Sequence, residues 1–248
     1  MLSRLEVPSV SLVHTNDRNL PSGFASGCLM NYNKQRVLLS VFHAMKEGPQ
    51  PALFLGWEPT MRRVMLRRVG GFNFLAKAEF ALGTRLEDSS FSEIDFSYAN
   101  VPAEDAPQLQ EIDPHTGNIL KSRACTIWDE SAIAEPDNDS EYGFAGHTMP
   151  SLEDHSLIAA DVQFCFTELR VCFPLSYLRT EGDMHVFRLP VKHPGHEYFR
   201  GCSGAPIIDE TGKVVALVCK GDLGDSIIYG ISLRRYQVAL DIHTGRMS

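Results

Sequence analysis

Most of the chain breaks into short apolar or alternating runs, punctuated by clusters of Gly, Pro, Asn and Asp. Runs of that length with a period of two fit half-buried strands and are too short for ordinary helices, which confines the chain to an all-β architecture. The first half offers strands at 7–14, 25–32, 36–41, 52–57, 61–69, 76–82 and 95–101. The second offers 124–128, 141–145, 157–166, 170–174, 185–188, 205–208, 214–220 and 227–232. A polar stretch at 102–122, marked by Pro102, Pro107, Pro114 and Gly117, reads as a strand-poor connection. It divides the chain into 1–115 and 116–248, and 248 residues at 44% hydrophobic content can bury two modest cores. Residues 233–240 read as a short closing helix.

The chemistry-bearing segment is Gly201-Cys202-Ser203-Gly204-Ala205-Pro206, which turns directly into an apolar strand. A serine between glycines at such a turn exposes its hydroxyl and turns backbone N–H groups toward the space beside it. That equips an acyl-transfer nucleophile with an oxyanion hole, here the N–H groups of Gly201 and Ser203. A serine needs a base, and His43 follows the buried-strand pattern Val37-Leu38-Leu39-Ser40-Val41-Phe42. A carboxylate must orient the base, and Asp95 lies between Ile94 and Phe96, with the apolar neighbours that burial requires. Asp88 and Asp105 are rival third members in more polar or Pro-rich surroundings. Cys202 is a rival nucleophile, but the glycines centre the turn on Ser203.

These residues carry a family resemblance. Ser40-Val41-Phe42-His43-Ala44 resembles the Thr-Ala-Ala-His segment of trypsin-like serine peptidases, and Glu93-Ile94-Asp95-Phe96 resembles their Asp-Ile-Ala motif. Gly201-Cys202-Ser203-Gly204-Ala205-Pro206 is similar to their Gly-Asp-Ser-Gly-Gly-Pro, and the order His, Asp, Ser matches. The resemblance implies two Greek-key six-stranded β-barrels of the chymotrypsin type, with His43 and Asp95 on the first and Ser203 on the second. It implies a serine endopeptidase acting on polypeptides through an acyl-enzyme. It also implies a substrate-binding set of Glu197, Cys219, Lys220 and Gly221. Counted back from Ser203, Glu197 falls where trypsin reads Lys or Arg; the competing reading is an ordinary exposed glutamate. Cys202 stands where zymogens keep the Asp that pairs with a newly cut N-terminus, so that switch is absent. Arg68-Val69-Gly70-Gly71 looks like an activation sequence but lies between His43 and Asp95.

Composition narrows the rest. A net charge of −8 argues against a nucleic-acid partner, and no run suits a membrane span. The basic cluster Arg62, Arg63, Arg67 and Arg68 reads as the solvated side of a hairpin, and the acidic segment 129–141 as a mobile surface loop. Met1-Leu2-Ser3-Arg4-Leu5-Glu6 lacks the pattern of a secretory signal, so the six cysteines, Cys165 among them, are expected as free thiols in the cytoplasm of an intracellular, bacterial protein. No cofactor or metal is expected; His193 and His196 lack further ligands at a suitable spacing. An activating or targeting protein partner is expected for a catalytic unit without an adaptor, as in a partner-activated protease effector. The alternatives are a catalytically lapsed binding module on a protease fold and an intracellular esterase or amidase.

Overall fold

The computed structural model of the protein describes residues 8–15, 21–46, 51–79, 90–113, 116–148 and 168–247. In the first half, β1 (Val10–Thr15), β2 (Pro21–Tyr32), β3 (Gln35–Ser40), β4 (Ala52–Glu58), β5 (Arg63–Arg68), β6 (Asn73–Glu79) and β7 (Ser90–Asn100) build one antiparallel sheet. Its spatial order is β5-β4-β1-β2-β3-β7-β6. Val10, Leu12, Leu29, Leu38 and Leu53 project into a shared core, capped by Met45 of the short helix α1 (Phe42–Lys46). Among the described residues β5 and β6 stand at the two ends of this pairing path, and the arrangement matches the first of the two expected barrels. Both carry exposed charge, Arg63, Arg67 and Arg68 on β5 and Lys77 on β6.

The connection expected to lack strands contains a hairpin, β8 (Gln108–Ile112) with β9 (Ile119–Ala124), and the division at 115/116 falls inside it. Only two of the five residues of β8 are apolar, so its pattern is silent. The hairpin is held by β4 instead: Trp57 Nε1 donates to the Gly117 carbonyl at 2.8 Å, and Trp57 N–H donates to Gln110 Oε1. β10 (Ile127–Asp129) then returns to the first sheet, parallel to β2.

The second half closes fully. β11 (Glu141–Thr148), β12 (Glu168–Glu181), β13 (Met184–Arg188), β14 (Pro206–Asp209), β15 (Val214–Asp222) and β16 (Ile227–Ser232) form a barrel in the order β11-β12-β13-β16-β15-β14. Phe144, Leu175, Phe187, Ile207 and Ala216 fill it. The closing helix α2 (Gln237–His243) begins later than its sequence pattern suggests, because Arg234–Tyr236 forms a 3-10 turn first. The expected strand at 157–166 lies outside the described residues.

A third apolar cluster joins the halves: Met30, Val37, Leu39 and Phe96 meet Leu217, Ile231, Leu233 and Leu240. The acidic segment is not a free loop but part of this joint. Ile133 is buried and bridges Val214, while Asp137 accepts N–H groups from Asp139 and Ser140 and hydrogen-bonds Tyr142 through its backbone.

Candidate active site

His43 is the second residue of α1, two positions beyond the buried Val41, Asp95 sits in the half-buried middle of β7, and Ser203 rides the turn that precedes β14. The three come together across the junction. Asp95 Oδ2 lies 2.8 Å from His43 Nδ1, and Oδ1 accepts the His43 backbone N–H at 2.9 Å. His43 Nε2 lies 3.1 Å from Ser203 Oγ. An ionised carboxylate can only accept, so Nδ1 donates, and neutral Nε2 is left to accept the Ser203 hydroxyl. Burial pulls the Asp95 pKa upward, but the donors from His43 and Cys219 outweigh it and hold the carboxyl below its ordinary range. Asp95 is therefore an anion at neutral pH, able to fix the imidazole tautomer and stabilise its protonated form.

The turn that carries Ser203 is shaped by the first half of the molecule. Ser26 N–H donates to the Ser203 carbonyl at 2.9 Å, and Ser26 Oγ donates to the Gly201 carbonyl at 2.8 Å. Ser40 Oγ in turn donates to the Ser26 carbonyl at 2.9 Å. Gly201 has φ +99°, and a Cβ there would stand 2.5 Å from the His147 carbonyl. Gly204 has φ +89°, and a Cβ would collide with the Ser26 carbonyl. Both positions demand glycine. The N–H groups of Gly201 and Ser203 have no acceptor among the described residues, whereas those of Cys202 and Gly204 donate to Phe199 and Val218. The two free donors are the pair an oxyanion would need. Cys202 is fully buried, and burial pushes its thiol pKa up to about 12, which removes it as a rival nucleophile.

Of the rival acids, Asp105 is buried and bound by the Arg67 guanidinium at 3.0 Å, while Asp88 lies outside the described residues. The substrate set is redistributed. Glu197 is no buried reader of cations: its side chain is 84% exposed and paired with Arg200 at 3.3 Å, on a 3-10 turn that places it in solvent. Cys219 faces Asp95, and its thiol donates to Asp95 Oδ2 at 2.7 Å. Lys220 is exposed, with its ammonium over the Tyr229 ring, and Gly221 lies against His193. Ser26, Ser40 and His193 were not singled out for these roles by sequence. Ser26 and Ser40 sit inside strand patterns where a small polar residue signals nothing.

His43 Nδ1, the Asp95 carboxylate and Cys219 Sγ lie within 4.8 Å of one another, the one donor group of this kind among the described residues. Burial first, then Asp95, raises the Cys219 pKa well above its usual value, so the thiol keeps its proton and gives it to Asp95. In the structure the three groups are joined as a hydrogen-bond chain.

No protein-family model and no curated protein matches the sequence. Solved structures do match. A serine endoprotease from Yersinia pestis aligns with TM-score 0.52 at 11% identity, over 97% of this chain and 64% of that one. Human heparin binding protein aligns with TM-score 0.54 at 10% identity, over 96% and 92% of the two chains. HL collagenase gives 0.53 at 11% identity, over 98% and 95%. The fold is the chymotrypsin fold. At these identities the likeness is one of architecture, and the chain spans just under two thirds of the Yersinia endoprotease. Within the chymotrypsin fold seen here, His43 and Asp95 come from the first half and Ser203 from the barrel.

Proposed function

We propose that this protein is a serine endopeptidase in which His43, Asp95 and Ser203 form the catalytic triad. The observation that carries the reading is the unbroken chain of contacts from Cys219 through Asp95 and His43 to Ser203 Oγ. Ser203 Oγ attacks the scissile carbonyl as its proton passes to His43 Nε2, and the N–H groups of Gly201 and Ser203 hold the oxyanion. His43 then protonates the leaving amine nitrogen, the C–N bond breaks, and an acyl-Ser203 ester remains. Water, deprotonated by His43, attacks that ester; collapse returns the proton to Ser203 and releases the new carboxyl terminus. Two of the structural neighbours bear peptidase names, in line with a polypeptide substrate.

The third neighbour is named for binding heparin, so the fold alone leaves room for a binding module without catalysis. A fluorophosphonate probe separates the two. The enzyme reading requires labelling of Ser203, abolished in Ser203→Ala, together with peptide hydrolysis; an unlabelled, inert protein favours the binding module. Hydrolysis of simple esters with intact peptides would favour an esterase.

Activation by N-terminal cleavage has no support in the site, because the buried thiol of Cys202 offers a new ammonium no countercharge. A protein partner is the alternative we favour. The five described cysteines, Cys28, Cys125, Cys172, Cys202 and Cys219, are all unpaired, which favours work in a reducing compartment such as the cytoplasm. No helix among the described residues is long and apolar enough to cross a membrane.

A further inference from the structure

Three metal-ligating side chains from three elements converge at the candidate site: His43 of α1, Asp95 of β7 and Cys219 of β15. One ligand atom from each lies within 4.8 Å of the other two. Two hydrogens hold the group together, since His43 Nδ1 donates to Asp95 Oδ2 at 2.8 Å and Cys219 Sγ donates to the same oxygen at 2.7 Å. Both donors therefore point at one anionic oxygen. A single divalent cation could take the place of the two protons.

The dimensions allow the exchange. Zinc bonds of ordinary length in a tetrahedron set ligand atoms about 3.3 to 3.6 Å apart, so each hydrogen-bonded pair needs to open by less than about 1 Å. The His43 side chain is 50% exposed, which gives an ion a path from solvent and the ring room to tilt. Asp95 stays anchored meanwhile, because its Oδ1 accepts the His43 backbone N–H at 2.9 Å. Charge balances as well. One carboxylate and one thiolate neutralise a divalent ion, which suits a place where Cys219 is 4% exposed. Imidazole and thiolate together select a soft or borderline cation over Mg²⁺ or Ca²⁺.

Building on the peptidase reading, we infer that this cluster is an inhibitory site for a thiophilic divalent cation such as Zn²⁺, held by His43 Nδ1, Asp95 Oδ2 and Cys219 Sγ with a water in the fourth position. Binding releases the Cys219 proton to solvent, and His43 exchanges its Nδ1 hydrogen for one on Nε2, so the imidazole stays neutral. Nε2 then donates toward Ser203 Oγ instead of accepting from it. The hydroxyl is left without a base. The ion is an inhibitor and not a cofactor, because the triad works only in its absence.

The test strips the full chain with EDTA, then titrates Zn²⁺ while following peptide hydrolysis and fluorophosphonate labelling of Ser203; Co²⁺ is titrated separately with absorbance as the readout. Micromolar Zn²⁺ should suppress hydrolysis and labelling by at least about 10-fold, EDTA should restore both, and Mg²⁺ should do neither. Co²⁺ should bind once per chain and give the near-ultraviolet band of a thiolate ligand. Cys219→Ser and Cys219→Ala should lose that band, and the Zn²⁺ concentration that halves each variant's own metal-free rate should rise at least about 10-fold. If neither variant folds, the wild-type Co²⁺ band decides. A protein that labels and cleaves regardless of Zn²⁺, a missing Co²⁺ band, or a variant as Zn²⁺-sensitive as the wild type overturns the metal site and leaves the peptidase proposal standing. A metal-free protein that neither labels nor cleaves overturns the peptidase reading and the inhibitory role with it.

Discussion

Asp95 gathers three donors, the His43 ring, the His43 backbone N–H and the Cys219 thiol. With its charge removed, Nδ1 of His43 loses the acceptor that fixes its tautomer. Asp95→Asn should therefore lower kcat/KM by about 10⁴-fold in a steady-state peptide assay, with the melting temperature little changed. Ser203→Ala and His43→Ala should each cost about 10⁵-fold or more, and the double variant hardly more than either, because the residues act as a unit. Cys219 gives a finer test. Cys219→Ser keeps a donor and should retain activity within about 3-fold, whereas Cys219→Val removes it and should lose about 10-fold or more. The apolar flanks of His43 and Asp95 and the glycines around Ser203 made this site legible in the sequence. Glu197 was misleading, since counting along the chain cannot see that a 3-10 turn points it outward. The partner of Asp105, Arg67, lies 38 positions away and leaves no local trace.

At the scale of elements, short apolar runs located most strands, because several, β1, β11 and β15 among them, are buried along most of their length. That signal failed at β8, whose register depends on Trp57 and Gln110 instead of on its own apolar face. Trp57→Phe preserves most of the buried ring area but deletes the bond to Gly117. It should cost about 1 kcal/mol in urea unfolding, with little effect on kcat/KM, since the hairpin lies away from the triad. The nucleophile turn is less forgiving. Gly204→Ala meets both a left-handed φ and the Ser26 carbonyl, so it should destabilise the protein by more than about 2 kcal/mol and lower Ser203 labelling at least 10-fold. The strain of the turn was readable from its glycines. What it presses against was not.

For the whole molecule, the junction is both an apolar seam and a pH-sensitive one. His147 is buried there, with its backbone N–H on Ser26 Oγ at 2.8 Å and Nε2 3.4 Å from the Ser9 carbonyl. Burial lowers its pKa to about 4 from 6.5. Between those values the unfolded chain binds the proton and the folded chain does not, so stability must fall as pH drops from 6.5 toward 4. The full effect of this one group is roughly 3 kcal/mol. Urea unfolding at about pH 7 and about pH 4.5 should show most of that loss, and His147→Gln should flatten the slope. The sequence suggested two halves and a site between them. It could not show how the strands of the first half are ordered in space, because the order β5-β4-β1-β2-β3-β7-β6 depends on pairings between segments far apart in the chain.

Ser26 lies 175 positions from Gly201, yet it braces the carbonyls of both Gly201 and Ser203. The reactive loop thus borrows its shape from the opposite end of the polypeptide. A molecule built this way behaves like a two-key lock. Produced as separate fragments, the sheet would carry the base and the barrel the nucleophile, and neither would react with a serine-directed probe. Mixing them would switch labelling on only as the seam zips closed, which would make the pair a split reporter of its own assembly.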